Sequence, residues 1–406
     1  MSEGKKIRLI VILSDGIRGH LNQSRGVALW LSGMTGAEIL ETEVPILSGA
    51  ARTRAKAAAR KLITGNRRDA RDWLAMADGD AVVRRVGQWF AERDIREGTR
   101  EVLLISAGST PAPYNLALGY IWRCACATVM TPGFVGTDPF DFAIVPEHDY
   151  PERKPNVLVT LGSPNPIMKS ELKKEGEALL KEFPPCSSKI WSILIGGDDA
   201  NYSVTPRWIK KQVGHIMKIA EQEGADLYIT TSRRTPAAAS EELKYIASHS
   251  AAVRYLLIAS ESDFNPIPAM LGFSTEVFCT EDSVNMVSET VTGGHRAVLL
   301  RVEHKKGIKK ILQDMTAWLV GVGALSPNML WGIPKFDLVF EHFARHDALL
   351  EFREWIRRRH EPPMISKDEG ESKMWEEFNE DYDLNARVVS MSMLTEDEVM
   401  GSEWML

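Results

Sequence analysis

Short apolar runs, each leading through small or polar residues into a helix-like pattern, recur along this chain. The first is IRLIVIL (7–13), which passes through SDGIRGHLNQSRG into the helical pattern LNQSRGVALWLSGM. VLLIS (102–106), DFAIVP (141–146) and NVLVTLG (156–162) repeat the theme, and the Ala-, Arg- and Lys-rich stretch from Gly49 to Trp73 predicts one or two surface helices between them. A continuous apolar run flanked by helices predicts a parallel strand buried on both faces. The pattern restarts at IWSILIGG (190–197) and continues through DLYITTS (226–232), VRYLLIA (253–259), TEVFCT (275–280) and AVLLRV (297–302). Between the two blocks, SPNPIMKSELKKEGEALLKEFPPCSS predicts a helix bracketed by prolines and a hinge region. Thr205 and Pro206 suit the cap and first turn of a helix running to about Gly224. Phe336 to His360 predicts a single amphipathic helix.

Strand–helix alternation in two blocks predicts the α/β class, with two Rossmann-like doubly wound domains facing a cleft. The expected domains are residues 1–165 and 186–335. The helix 336–360 is expected to pack back on the N-terminal domain, and 361–406 forms an acidic extension. A length of 406 residues agrees with two domains.

Composition changes this picture little, and charge changes it locally. Hydrophobic content of 44% and charged content of 26% are those of an ordinary globular protein. No apolar run reaches the ~18–20 residues that span a bilayer. MSEGKK leads straight into a strand and does not read as a secretory leader. The four cysteines (Cys124, Cys126, Cys186 and Cys279) have neither redox nor zinc spacing, so buried free thiols and a cytoplasmic setting are expected. The net charge of −6 is segregated: from Glu361 onward thirteen Asp/Glu face three Lys/Arg, and the rest of the chain is basic. Trp375, Phe378, Tyr382 and Trp404 in that acidic stretch suggest a strap on the body. The basic stretch from Arg52 to Arg71 suggests contact with an anionic membrane surface, or equally a solvated helix face.

Candidate chemistry clusters where the predicted strands end. In SDGIRGHLNQSRG, Gly16, Gly19 and Gly26 are not spaced as GxGxxG, so a dinucleotide loop is disfavoured. His20 is a general-base candidate, with Asp15, Gly16, Gly19, Asn22 and Gln23 as substrate-binding positions around it. Ser109 and Thr110 in SAGSTPAP form part of the acceptor-side wall or simply connect strand to helix, and His148 beside Asp149 in VPEHD is expected to line the cleft. Gly196 and Gly197 in IGGDDANY can bring backbone N–H groups against a diphosphate. Ser232, Arg233 and Arg234 follow another strand, and one arginine can clamp a phosphate. In TEDSVNMVSETVTGG either Asp282 or Ser283 caps a helix. Ser283, Met286 and Glu289 then share one face, with Ser288 beside them, and Glu289 can accept from two vicinal hydroxyls. No metal and no cofactor are expected.

In order, SDGIRGHLNQSRG, ISAGSTPAP, DFAIVPEHD, NVLVTLGSPN, IGGDDANY, TTSRRTP and TEDSVNMVSE resemble the bacterial and plant family named after the plant mitochondrial-fission (elongated-mitochondria) protein. The likeness runs over roughly 7–302, and the family looks like GT-B glycosyltransferases. The first loop and the Ser/Glu helix are also similar to those of the glycosyltransferase that adds N-acetylglucosamine to lipid-linked muramyl pentapeptide, although DGIRGH is less glycine-rich. The resemblance implies His20 as acceptor-side base, Gly196 and Gly197 on the diphosphate, Glu289 on the donor's ribose and a contribution from Arg233 to the diphosphate charge. It implies a metal-independent inverting sugar transfer from a nucleotide sugar to a glycan or lipid-linked acceptor, on a cytoplasmic protein peripheral to the membrane's inner face. No nucleic-acid partner is implied. A non-catalytic adaptor in membrane or organelle dynamics and a GT-B-like nucleotide-sugar epimerase are the alternatives.

Overall fold

The computed structural model describes residues 7–360, so the acidic extension and its suggested strap lie outside the described residues. The chain divides between Pro166 and Ile167 into two compact units. The proline-bracketed helix Lys169–Glu182 is therefore part of the second unit. Gly176 and Gly272 let it approach the helix Ile267–Leu271 at backbone distance, which ties down the segment expected to hinge.

The first unit carries six parallel strands: β1 (Leu9–Ser14), β2 (Glu38–Glu43), β3 (Val102–Ala107), β4 (Ala125–Val129), β5 (Phe142–Pro146) and β6 (Val157–Thr160). Their order is β2-β1-β3-β4-β5-β6. The second unit begins with β7 (Ile190–Ile195), β8 (Tyr202–Ser203), β9 (Asp226–Thr231) and β10 (Val253–Leu257). It continues with β11 (Glu276–Thr280), β12 (Ala297–Leu300), β13 (Glu303–His304) and β14 (Leu349–Glu351). Six of these form the parallel sheet β10-β9-β7-β11-β12-β14, and β8 pairs with β13 in a small antiparallel ribbon. Each large sheet grows outward from its first strand on one side and then returns to the other. The fold is thus α/β with two Rossmann-like doubly wound units. The order reverses between β1 and β3 in one unit and between β7 and β11 in the other, and ligand crevices of such sheets open at the carboxyl ends of those strands.

Burial explains why the first strands are so apolar. Every residue of β1 and of β7 is buried, because helices cover both faces. Each Leu or Ile so buried contributes about 1.5–3 kcal/mol. The helix Arg18–Thr35 crosses the first sheet so close to Asn165 that a side chain at Gly26 would run into that residue's backbone. Of the three glycines in the first loop, Gly26 therefore serves packing.

Two expectations change. The stretch 336–360 is not one helix: the helix Ile333–Arg345 ends, Asp347 turns with φ +54°, and β14 leads into the helix Phe352–His360. Leu349 and Leu350 are buried beside β12, and Trp355 packs edge-on against Trp191 and Phe278. This segment completes the second sheet. Among the cysteines, Cys126 and Cys279 are buried and Cys124 partly so, but Cys186 is exposed. Burial pushes the thiols of Cys124 and Cys279 up to about 12, so both are inert at neutral pH.

Candidate functional site

At the β1/β3 reversal the chain leaves β1 through Ser14, Asp15 and Gly16. The Ser14 hydroxyl accepts from the Gly16 N–H at 3.0 Å, and Asp15 Oδ1 accepts from the Ile17 N–H at 3.2 Å. Gly16 takes φ +75°, which starts the helix Arg18–Thr35 two residues later. His20 lies in the first turn of that helix. Its Nδ1 stands 2.9 Å from Asp15 Oδ2. A carboxylate only accepts, so Nδ1 carries a proton, and in the neutral ring the lone pair is on Nε2. The ring lies on the backbone of Gly108, at the end of β3, where a Cβ would stand 2.6 Å from the imidazole. The Asp15 side chain is 4% exposed and that of His20 25% exposed, so the carboxylate is buried and the imidazole is open to solvent.

The other candidates of this unit separate by role. Asp15 is bonded to the His20 ring and to the Ile17 N–H. Gly19 opens the helix, and Asn22 is half-buried. Gln23, one turn after His20, is buried, and its Oε1 has no hydrogen-bond partner among the described residues. The Ser109 hydroxyl accepts from the Gly133 N–H at 2.8 Å. Ser109 and Thr110 line a cavity of about 390 Å³ with Arg52, Lys56, Trp73 and Tyr114. Its lining has two cations and no carboxylate. His148 sits in the turn Glu147–Asp149, 4.0 Å from Asp149, at the end of β5 with β4 between it and β3.

The β7/β11 reversal is closed from within. Gly196 donates its N–H to the Thr280 hydroxyl at 2.7 Å, and Gly197 donates to Asp282 Oδ2 at 2.7 Å. A side chain at Gly196 would occupy the place of the Asp282 carboxylate, and one at Gly197 the backbone of Arg234. Both amides expected to face a diphosphate are therefore bonded inside the protein. Arg234, not Arg233, belongs to this site: its Nη2 is 3.0 Å from Asp282 Oδ2, and its Nη1 reaches the Asp198 carbonyl at 3.3 Å. Arg233 points outward to Asp263, with both side chains exposed. The turn Ser232–Thr235 separates the neighbours: the Ser232 hydroxyl accepts from the Arg234 N–H, and the Thr235 hydroxyl donates to the Gly196 carbonyl. The Arg234 side chain is 44% exposed, so it keeps a face for a ligand anion. Burial pushes the Asp282 carboxyl above its ordinary value, and Gly197, Thr280 and Arg234 draw it back in part.

Ser283, not Asp282, caps the helix Val284–Thr292, its hydroxyl accepting from the Met286 N–H at 3.4 Å. Met286, Ser288 and Glu289 are buried in that helix. Burial alone raises the Glu289 carboxyl to about 7, and no side-chain hydrogen bond of Glu289 occurs among the described residues. Sequence reading missed Thr280 and Gly108, which show only once the strands are neighbours. It also missed Glu281, buried one residue before Asp282 and turned the other way, to Arg301 at 2.8 Å and the Val302 N–H at 2.7 Å.

A larger cavity of about 530 Å³ opens at the amino ends of β11 and β12, opposite the end at which the strand-order reversal opens its crevice. Its Arg359 is neutralised by Glu223 and Glu276 and stacked on Trp355. Among the described residues no cluster of three or more His, Cys, Asp or Glu is placed to hold a metal ion, and no helix is long and apolar enough to cross a membrane.

The chain thus consists of two doubly wound α/β units in series, each with polar residues gathered at its strand-order reversal. The chain belongs to the mitochondrial fission ELM1 family, whose model matches residues 18–320. No curated protein matches it in sequence. Among solved structures it is similar to Phytolacca americana UGT2 in complex with UDP-2-fluoroglucose and pterostilbene (11% identity, 96% of this chain and 100% of that one, TM-score 0.43). It is also similar to the UDP-GlcNAc 2-epimerase of Methanocaldococcus jannaschii (13%, 82% and 92%, TM-score 0.41) and to Acinetobacter baumannii MurG (12%, 88% and 96%, TM-score 0.38).

Proposed function

We propose that the chain is a nucleotide-sugar-dependent glycosyltransferase that inverts the anomeric centre without a metal and acts on a cell-envelope glycan or glycolipid. The observation that carries this reading is the Asp15–His20 pair, held against Gly108 at the β1/β3 reversal. An imidazole with Nδ1 fixed by a carboxylate and Nε2 open has the geometry of a general base. His20 Nε2 takes the proton of the acceptor hydroxyl as its oxygen attacks the anomeric carbon. The bond from that carbon to the diphosphate oxygen breaks, and the nucleoside diphosphate leaves with the electron pair. Arg234 offsets the charge that develops there, in the role first expected of Arg233. The hydroxyls of the donor's ribose give Glu289 the hydrogen bonds it lacks in the free chain. Arg52 and Lys56 in the adjoining cavity suit an acceptor that itself bears an anionic group. An adaptor would need none of these arrangements.

The test is a panel of UDP-, GDP-, ADP- and CMP-sugars. One of them is expected to raise Tm by binding the native state, and a panel without any shift sinks the reading. With a binding sugar in hand, His20→Ala leaves its affinity within about twofold and slows transfer by roughly 10²-fold or more. Full transfer by that variant removes His20 as the base.

A further inference from the structure

The helix Ile308–Gly321 is mounted inside out. A surface helix normally turns its apolar stripe to the core. Here the one buried residue is the polar Gln313. Its Nε2 donates to Asn201 Oδ1 at 2.9 Å, and its head fills the place a side chain at Gly332 would take. Ile308, Ile311, Leu312, Met315, Trp318 and Val322 are all exposed, Ile308 at 78% and Trp318 at 64%. Their spacing follows successive helical turns, so they form one stripe. Lys305, Lys306, Lys309 and Lys310 stand at its start, and Asp314 is the one carboxylate between residues 305 and 325. Trp331 extends the patch, with Lys309 Nζ 5.9 Å from its ring.

We propose that this helix lies in the surface of a bilayer containing anionic lipid, with its apolar stripe among the acyl chains and Lys306 and Lys309 at the headgroups. At fourteen residues it is too short to span. An exposed apolar stripe with a tryptophan and a cluster of lysines is the composition of an interfacial helix. A second copy of the chain fits less well, because lysine is depleted from protein interfaces. The helix is also bolted to the loop after β7. Lys305 Nζ is 3.1 Å from Asp198 Oδ2 and donates to the Asp199 carbonyl at 2.8 Å, while Gln313 holds Asn201. Docking therefore sets the carboxyl end of the second sheet at the lipid surface, whatever chemistry that end performs.

The test is flotation of the full chain with phosphatidylcholine vesicles with and without phosphatidylglycerol. The chain is expected to float with the mixed vesicles and to a lesser degree with phosphatidylcholine alone. The double variant Ile311→Glu/Trp318→Glu alters only exposed positions, so it keeps its Tm and loses at least about tenfold in partition to both. Lys306→Glu/Lys309→Glu loses binding to the mixed vesicles only, about fivefold per lysine, and carries the test alone if the apolar pair perturbs folding. Equal flotation of all three proteins, or no flotation of the unaltered chain, overturns the proposal. So does light scattering that shows a dimer which the apolar variant splits, because the stripe then belongs to a second copy.

Discussion

The two strand-order reversals are made of the same parts and closed in opposite ways. Each follows a fully buried strand with a short glycine turn and a carboxylate. After β1 the carboxylate comes from the turn itself: Asp15 bonds His20 and leaves one ring nitrogen available. After β7 the carboxylate comes from the neighbouring strand's end: Asp282 takes the Gly197 N–H and the Arg234 guanidinium. The glycines differ accordingly. Gly16 is needed for its φ of +75° and has open space around it, its nearest neighbour being Glu43 at 3.9 Å. Gly196 and Gly197 are needed because there is no room for a side chain. A glycine turn after a first strand is thus an anion cradle only where its amides are left free, and here the second turn has supplied its own anion.

Alanine at these glycines should separate the two cases most strongly. Gly196→Ala drives a methyl group into the Asp282 carboxylate and should cost at least about 3 kcal/mol, or yield no folded protein. Gly16→Ala pays only the left-handed backbone, about 1–2 kcal/mol. Urea denaturation reads both, and equal costs would mean that the second turn has slack.

Next in size is the buried carboxyl of the second unit. Glu289 titrates at about 7 in the folded chain against 4.5 as a free group, because burial penalises its charge. The native state therefore holds this proton more tightly than the unfolded state does. Stability falls as pH rises from about 4.5 to about 7 and is flat above that. Glu289→Gln should recover on the order of 3 kcal/mol at pH 8 and almost nothing at pH 4.5, while weakening the binding of any sugar nucleotide that moves the wild-type Tm. A gain independent of pH would show that the carboxyl is not the titrating group.

One conservative substitution placed at both reversals should then read out in different quantities. Asp282→Asn keeps an oxygen for Gly197 but loses the charge facing Arg234, and should cost about 1–2 kcal/mol of stability. Asp15→Asn should cost under about 1 kcal/mol, yet slow transfer by roughly 10²-fold or more, because an amide can hold the imidazole in the wrong tautomer. If Asp15→Asn is instead the more destabilising, that pair is structural and the comparison reverses.

What the sequence made legible follows from burial. β1, β3, β5, β7, β9, β11 and β12 show as apolar runs because both faces of those strands are covered, whereas the edge strands β6 and β10 are apolar though only partly buried. β2, with the sequence EILETE, sits at the sheet's edge and needs no such run. β4 is built of the small residues ACATV, and β14 is three residues inside a helix-like stretch. Asp15 and His20 are legible as candidates because one loop holds both, but their bond depends on the turn at Gly16. Asp282 and Gly197 lie 85 residues apart and become neighbours only because β11 lies beside β7. Periodicity likewise reveals that a helix such as 308–321 has an apolar face, and not which way that face turns.

The smallest predicted effect is the most local. Arg233 and Arg234 are adjacent and chemically identical, and the turn at Ser232–Thr235 alone sends one to exposed Asp263 and the other to buried Asp282. Arg233→Ala breaks an exposed pair and should change stability by less than about 0.5 kcal/mol. Arg234→Ala leaves Asp282 without its cation and should cost about 1 kcal/mol, held down by the solvent that reaches the guanidinium. The sharper contrast is in ligand affinity. If the diphosphate competes with Asp282 for Arg234, the Arg234 variant should bind the sugar nucleotide about tenfold more weakly, while the Arg233 variant binds as the unaltered chain does. Equal weakening by both would mean that Arg233 leaves Asp263 for the ligand. The second reversal would then carry two cations for the leaving group where the free chain shows one.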